Sequence, residues 1–117
     1  MLRKKLREVY IEGWYELNIK KLLAATAKDF KFFDPMERAP VDREGLIRYM
    51  EQWNARVGYK QEWRLSHKTR KDQNGVLTDW EWWELVGTDF AGSAVVTTTD
   101  LGVTMEKITS SNIKEFL

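Results

Sequence analysis

The stretch Ala27–Pro35, AKDFKFFDP, decides how the rest of this chain is read. It is a short apolar strand ending in an Asp-Pro step, with an amphipathic helix pair before it and another helix after it. Proline cannot donate to a sheet ladder, so Pro35 stops the strand, and Asp34 beside it is a ready acceptor for turn N–H groups. The same aspartate is delivered among Phe30, Phe32 and Phe33. In apolar surroundings a carboxyl group keeps its proton to higher pH and can act as a base. Asp34 therefore has two readings, turn acceptor and general base, and the segment alone favours the turn acceptor.

Before the strand, Leu2 to Leu17 reads as a helix, with Leu2, Leu6, Val9, Tyr10, Gly13, Trp14 and Leu17 along one stripe. Asn18 is placed to cap a second helix, Ile19 to Ala27, and the strand follows over Asp29–Phe33. After it, Val41 to Val57 reads as a third helix with Asp42 as its N-cap, an apolar face of Leu46, Tyr49, Met50, Trp53 and Val57, and Gly58 as its stop. Beyond Gly58 the period changes to two. In Tyr59–Lys71, strict alternation puts Trp63, Leu65, His67 and Thr69 on one face and Arg64, Ser66, Lys68 and Arg70 on the other. An Asn-Gly turn in Asp72–Gly75 leads into the strand Val76–Gly87. After a turn over Thr88–Ser93, Ala94–Thr109 reads as one long strand and Ile113–Leu117 as the last. Segregated helices and strands indicate an α+β domain with the helices on one face of an antiparallel sheet.

Composition narrows function. The 117 residues suit a single domain, 1–117, with one core. Nineteen Lys and Arg against eighteen Asp and Glu leave a net charge of +1, which argues against a nucleic-acid or membrane-surface binder. The absence of cysteine excludes disulfides, a thiol nucleophile and thiolate metal sites, and one histidine makes no conventional zinc site. No metal or cofactor is therefore expected. With neither a signal peptide nor a transmembrane stretch, the cytoplasm is the expected compartment. Six Trp, four Tyr and five Phe exceed what a small core needs, and the surplus reads as a cavity lining, a dimer interface, or both. The strand Val76–Gly87 has Trp80 and Trp82 on one face and Trp83 and Leu85 on the other. Helices cover one face of a sheet only, so a two-fold homodimer is expected on the other, with Trp83 in its interface.

Three stretches resemble one family: GWYELNIKKLLAATAKDFKFFDP, VDREGLIRYMEQW and ELVGTDFAGSAV are similar to segments of the nuclear-transport-factor-2-like superfamily, in particular its SnoaL-like and ketosteroid-isomerase-like members. The resemblance covers nearly the whole chain. It implies a cone-shaped, curved sheet wrapped by three helices around an apolar pocket, a fold that serves isomerases, cyclases, dehydratases, adaptors and plain binding domains alike. The catalytic base it implies is Asp34. Its oxyanion-hole tyrosine lies twenty-four positions earlier, which is Tyr10. Its third element, a protonated aspartate on a late strand, falls at Thr104 when counted back from SSNIKEF, with Asp100 four residues earlier on the same strand face. A threonine is a weaker donor there, so an authentic steroid isomerase is not expected.

The expected site therefore joins Asp34, Tyr10 and His67 as catalytic candidates with Trp14, Tyr49, Trp53, Trp63 and Thr104 as ligand contacts. Asp34 has its plainer reading as a turn acceptor, His67 as a satisfied core histidine, and Tyr10, Trp14, Tyr49, Trp53 and Trp63 as core packing. Glu84 reads as an inward carboxylate or a surface partner of a basic residue. Lys68–Lys71 reads as solvated surface shielding a strand end. The functional expectation is a small-molecule-binding domain, an isomerase, cyclase or dehydratase acting on an apolar hydroxy or carbonyl compound. The alternative is a non-catalytic binding, dimerisation or adaptor module of the same fold. A pocket of a few hundred cubic ångströms would suit the enzyme, and one filled by Trp and Phe rings the module.

Overall fold

The computed structural model describes residues 2–57 and 62–112. Two helices open the chain: α1, Leu2–Glu16, and α2, Ile19–Ala25. Asn18 caps α2 as expected, its side chain accepting the Lys21 N–H at 3.2 Å. The two helices touch at Gly13, where a Cβ would sit 2.9 Å from Leu22 Cγ. Helix α2 stops earlier than expected. Thr26 already has extended φ and ψ, and its hydroxyl donates to the Leu23 carbonyl.

Strand β1 runs Thr26–Phe33 and buries Phe30 and Phe32 while Phe33 faces out. The loop after it is clamped shut: Phe32 and Val41 exchange both backbone hydrogen bonds at 2.8 Å. This fixes Asp34 at the loop entrance. Helix α3, Arg43–Val57, is capped by Asp42, which accepts the Gly45 N–H at 2.8 Å, and buries Leu46, Met50 and Trp53.

Four strands follow: β2, Trp63–Gln73; β3, Val76–Leu85; β4, Ala91–Thr99; and β5, Gly102–Ser111. The sheet order is β1-β5-β4-β3-β2. All neighbours are antiparallel except β1 and β5, so this open, curved sheet is mixed rather than antiparallel. The three helices and the sheet form the α+β cone. The expected long strand Ala94–Thr109 is a hairpin, broken at Asp100-Leu101. Gly102 supplies the required backbone, with φ of 126° and no room for a side chain: a Cβ would lie 2.6 Å from the Ala27 nitrogen. The expected strand at Ile113–Leu117 and the start of β2 at Tyr59–Gln61 lie outside the described residues.

Bulges reset the side-chain alternation, and two of them bear on the site. In β2, Leu65 pairs with Trp83 but His67 pairs with Trp82, so Ser66 is an extra residue. In β5, Val103 pairs with Thr98 but Met105 pairs with Thr97, so Thr104 is extra. A one-residue slip carries everything beyond it to the opposite face.

The core has two parts. One joins Tyr10, Leu22, Phe30, Phe32, Leu46, Met50, Val96 and Val103. The other joins Trp53, Leu85 and Phe90 with Trp63 and Trp83 against them. Among the described residues no helix is long and apolar enough to cross a membrane.

Candidate functional site

A cavity of about 90 Å³ lies between the helices and the inner face of the sheet. Tyr10, Trp14, Asp34, Tyr49, Trp53 and Trp63 all line it, joined by Arg7, Phe32, Glu81, Trp83, Phe90 and Glu106. Six of the eight expected site residues thus converge. The volume is smaller than a few hundred cubic ångströms, because aromatic rings occupy much of the cone.

One wall is aromatic. Trp53 and Trp63 stack at 5.9 Å and 23°, and Trp83 meets Trp63 edge to face at 5.0 Å. Trp83 reaches this position because Gly92 lies beneath its ring; a Cβ there would fall 2.7 Å from Trp83 Cη2. Trp83 is therefore a cavity residue, not an interface residue. The outward tryptophans of β3 are Trp80 and Trp82, 38% and 47% exposed.

Two carboxyl–phenol pairs supply the polar end. In the first, Tyr49 donates its hydroxyl to Asp34 Oδ2 at 2.5 Å, while Asp34 Oδ1 accepts the Met36 N–H at 2.8 Å. The turn-acceptor reading of Asp34 holds: one oxygen closes the turn, and the other takes the Tyr49 hydroxyl at the cavity. Burial and the Asp34 charge push the Tyr49 phenol well above its usual value. In the second pair, Tyr10 donates to Glu106 Oε1 at 2.5 Å, and both residues are buried, at 1% and 7% exposure. Burial pushes the Glu106 carboxyl up to about 7, and the Glu81 charge adds to the rise. The Tyr10 hydrogen bond and the Arg7 guanidinium oppose it, and Asp34 adds a smaller push upward. The Tyr10 phenol is itself raised well above its usual range, by burial and then by Glu106.

Behind these pairs lies a buried ionic cluster. Arg7 on α1 donates to Asp79 at 3.1 Å and Glu81 at 2.5 Å, both on the inner face of β3, and its guanidinium lies 5.6 Å from the Tyr10 ring centre. Arg70 donates twice to Asp79, and Lys68 stands 3.8 Å from it. Burial alone would raise Asp79, but the Arg70 hydrogen bonds and the charges of Arg7 and Lys68 outweigh it and hold the carboxyl below its ordinary value. Lys68 and Arg70 remain exposed, as expected, but the bulge at Ser66 puts them on the Asp79 side of the sheet, where both meet its carboxylate.

That same bulge carries His67 out of the site. It is exposed on the outer face, its ring 5.4 Å from Trp82 and its Nε2 3.4 Å from the Thr69 hydroxyl. Thr104 is also outside the cavity: as the extra residue of the β5 bulge it bonds Thr97, hydroxyl to hydroxyl, at 2.7 Å. Asp100 sits exposed in the β4–β5 turn, paired with Arg3 at 3.2 Å. Glu84 pairs with Arg64 on the surface at 2.8 Å. The late-strand carboxyl group that does reach the cavity is Glu106, two positions beyond Thr104. Among the described residues no group of three or more His, Cys, Asp and Glu side chains could hold a metal ion.

No family model matches the chain, and no curated protein matches it by sequence. Solved structures match in shape. An NTF2-like protein of unknown function from Cytophaga hutchinsonii superposes with a TM-score of 0.66 at 13% identity, covering 98% of this chain and 95% of its own. TerC, co-crystallised with polyporic acid, gives 0.73 at 13% identity over 99% and 96%. A candidate SnoaL-like polyketide cyclase from Shewanella putrefaciens gives 0.65 at 14% identity over 97% and 82%. The chain has the NTF2-like fold.

Proposed function

We propose that the cone binds a small, largely apolar carbonyl or hydroxyl compound and moves a proton on it, with Asp34 as proton acceptor and Tyr10–Glu106 as donor to the ligand oxygen. The observation that carries this reading is the convergence of two carboxyl–phenol pairs on one aromatic-walled cavity. When Glu106 holds its proton, it can donate to the Tyr10 oxygen, which frees the Tyr10 O–H for the ligand. A ketone so held loses an α-proton to Asp34. The C–H electron pair becomes the C=C bond of an enolate, and charge collects on the oxygen facing Tyr10. Tyr49 keeps the Asp34 carboxylate oriented toward the cavity.

The cavity volume, below the usual range for drug-sized ligands, favours a compound of a few heavy atoms. It also gives weight to the second reading, a binding module without chemistry. Cyclohexanone in D2O separates the two. Proton transfer predicts that the protein speeds exchange of the α-protons, seen by proton NMR, and that Asp34→Asn abolishes this while remaining folded. Saturable binding without faster exchange selects the module.

We also propose that a second copy of the chain covers the outer sheet face at Trp80 and Trp82, as large exposed aromatics on one strand face favour burial. A monomer in sedimentation at micromolar concentration overturns this.

A further inference from the structure

We propose that Trp14 is a hydrogen-bond donor to the ligand, its indole N–H aimed at an acceptor oxygen held between the two carboxyl–phenol pairs. This rests on the binding reading above and makes it narrower: the ligand carries a carbonyl or enolate oxygen.

Trp14 stands between the pairs. Its ring meets Tyr10 edge to face at 6.3 Å and 81°, and Tyr49 at 6.1 Å and 88°. Phe32 lies 5.9 Å away and closes the remaining side. The position follows from the helix: Trp14 is four residues after Tyr10 on α1, so the two side chains share one face. Three buried side-chain polar atoms among the described residues have no hydrogen-bond partner: Trp14 Nε1, Asn54 Oδ1 and Thr98 Oγ1. Of these residues only Trp14 lines the cavity. Its N–H lies close enough to the Tyr10 oxygen to favour the phenolate, yet makes no hydrogen bond of acceptable geometry with it.

A buried indole N–H is a donor only and normally finds a partner, since leaving it unpaired costs the desolvation of the group. Phenylalanine would fill similar space without that cost. The geometry points to an acceptor that reaches Tyr10 and Trp14 together. An oxygen between the two would take the Tyr10 O–H and the Trp14 N–H at once, the two-donor arrangement that stabilises a developing oxyanion.

The test compares cyclohexanone with methylenecyclohexane, which has the same shape and no acceptor. Binding of each to the wild-type protein and to Trp14→Phe is followed by NMR titration. The N–H assignment predicts that Trp14→Phe weakens cyclohexanone about 5-fold, the worth of one net hydrogen bond, and changes methylenecyclohexane less than 2-fold. In the wild-type protein the indole proton of Trp14, assigned through bonds, moves downfield with the ketone and not with the hydrocarbon. This measurement needs no variant. Equal losses for both compounds, or an indole proton that ignores the ketone, overturn the role of Trp14 and leave the pocket reading intact. Saturable binding of neither compound overturns the pocket reading and this inference with it.

Discussion

Replacing Glu106 by Gln gives the sharpest test of the site, because it isolates one ionisation. The folded protein holds the Glu106 proton up to about pH 7, against an ordinary value of 4.5. Each tenfold in proton affinity is about 1.4 kcal/mol, so the gap amounts to about 3 kcal/mol. The folded-state value is raised, so the folded protein binds the proton more tightly than the unfolded chain. The stability this contributes is in full force below pH 4.5 and is lost as pH rises through 7. Gln has the same shape and no charge to lose. Urea unfolding of both proteins should show them within about 1 kcal/mol at pH 4.5, since Gln still bonds the Tyr10 hydroxyl. At pH 8 the Gln variant should lead by up to about 3 kcal/mol. The change between the two pH values matters more than either end point, because it cancels the packing difference. A difference that stays flat from pH 5 to 8 refutes the raised value. A variant that becomes relatively weaker at pH 8 shows that Arg7 stabilises the carboxylate more than burial penalises it, and the donor role assigned to the pair falls.

Arg7→Met should cost about 3 kcal/mol in urea unfolding, because it leaves Glu81 buried without its cation and Asp79 with only Arg70 and Lys68. Arg64→Met, in an exposed pair, should cost under about 1 kcal/mol. Gly102→Ala should lower stability by roughly 2–4 kcal/mol, since its φ of 126° and the 2.6 Å approach to the Ala27 nitrogen leave no room for a methyl group. A melt within a degree of wild type would refute that. Trp82→Glu should shift any dimer to monomer in sedimentation while leaving cyclohexanone binding unchanged, as Trp82 faces away from the cavity.

Local order carried most of the fold into view, and pairing between distant strands hid the rest. The caps Asn18 and Asp42 and the burial of Leu46, Met50 and Trp53 on α3 are local signals, and they held. So did the inward wall of Tyr10, Trp14, Tyr49 and Trp53, which helical spacing alone places on two facing stripes. The face of a strand residue is different, because it depends on register with a neighbour far along the chain. Strict alternation puts His67 inside with Trp63 and Leu65, but Ser66 bulges against β3 and sends His67 to the outer face and Lys68 and Arg70 to the side of Asp79. Ser66 looks like any other strand residue in sequence, so nothing local marks that bulge. The β4–β5 turn, by contrast, is marked locally. Asp100-Leu101-Gly102, after three threonines, is a turn signal, and the Thr99 hydroxyl does accept the Leu101 N–H there. With the hairpin recognised, β5 offers one carboxylate, Glu106, flanked by Met105 and Lys107 and two residues from Ile108. A lone acid on a strand whose neighbours Val103 and Ile108 are apolar must be buried, paired or misassigned. Here it is buried, and its partner is the tyrosine that lies twenty-four positions before Asp34.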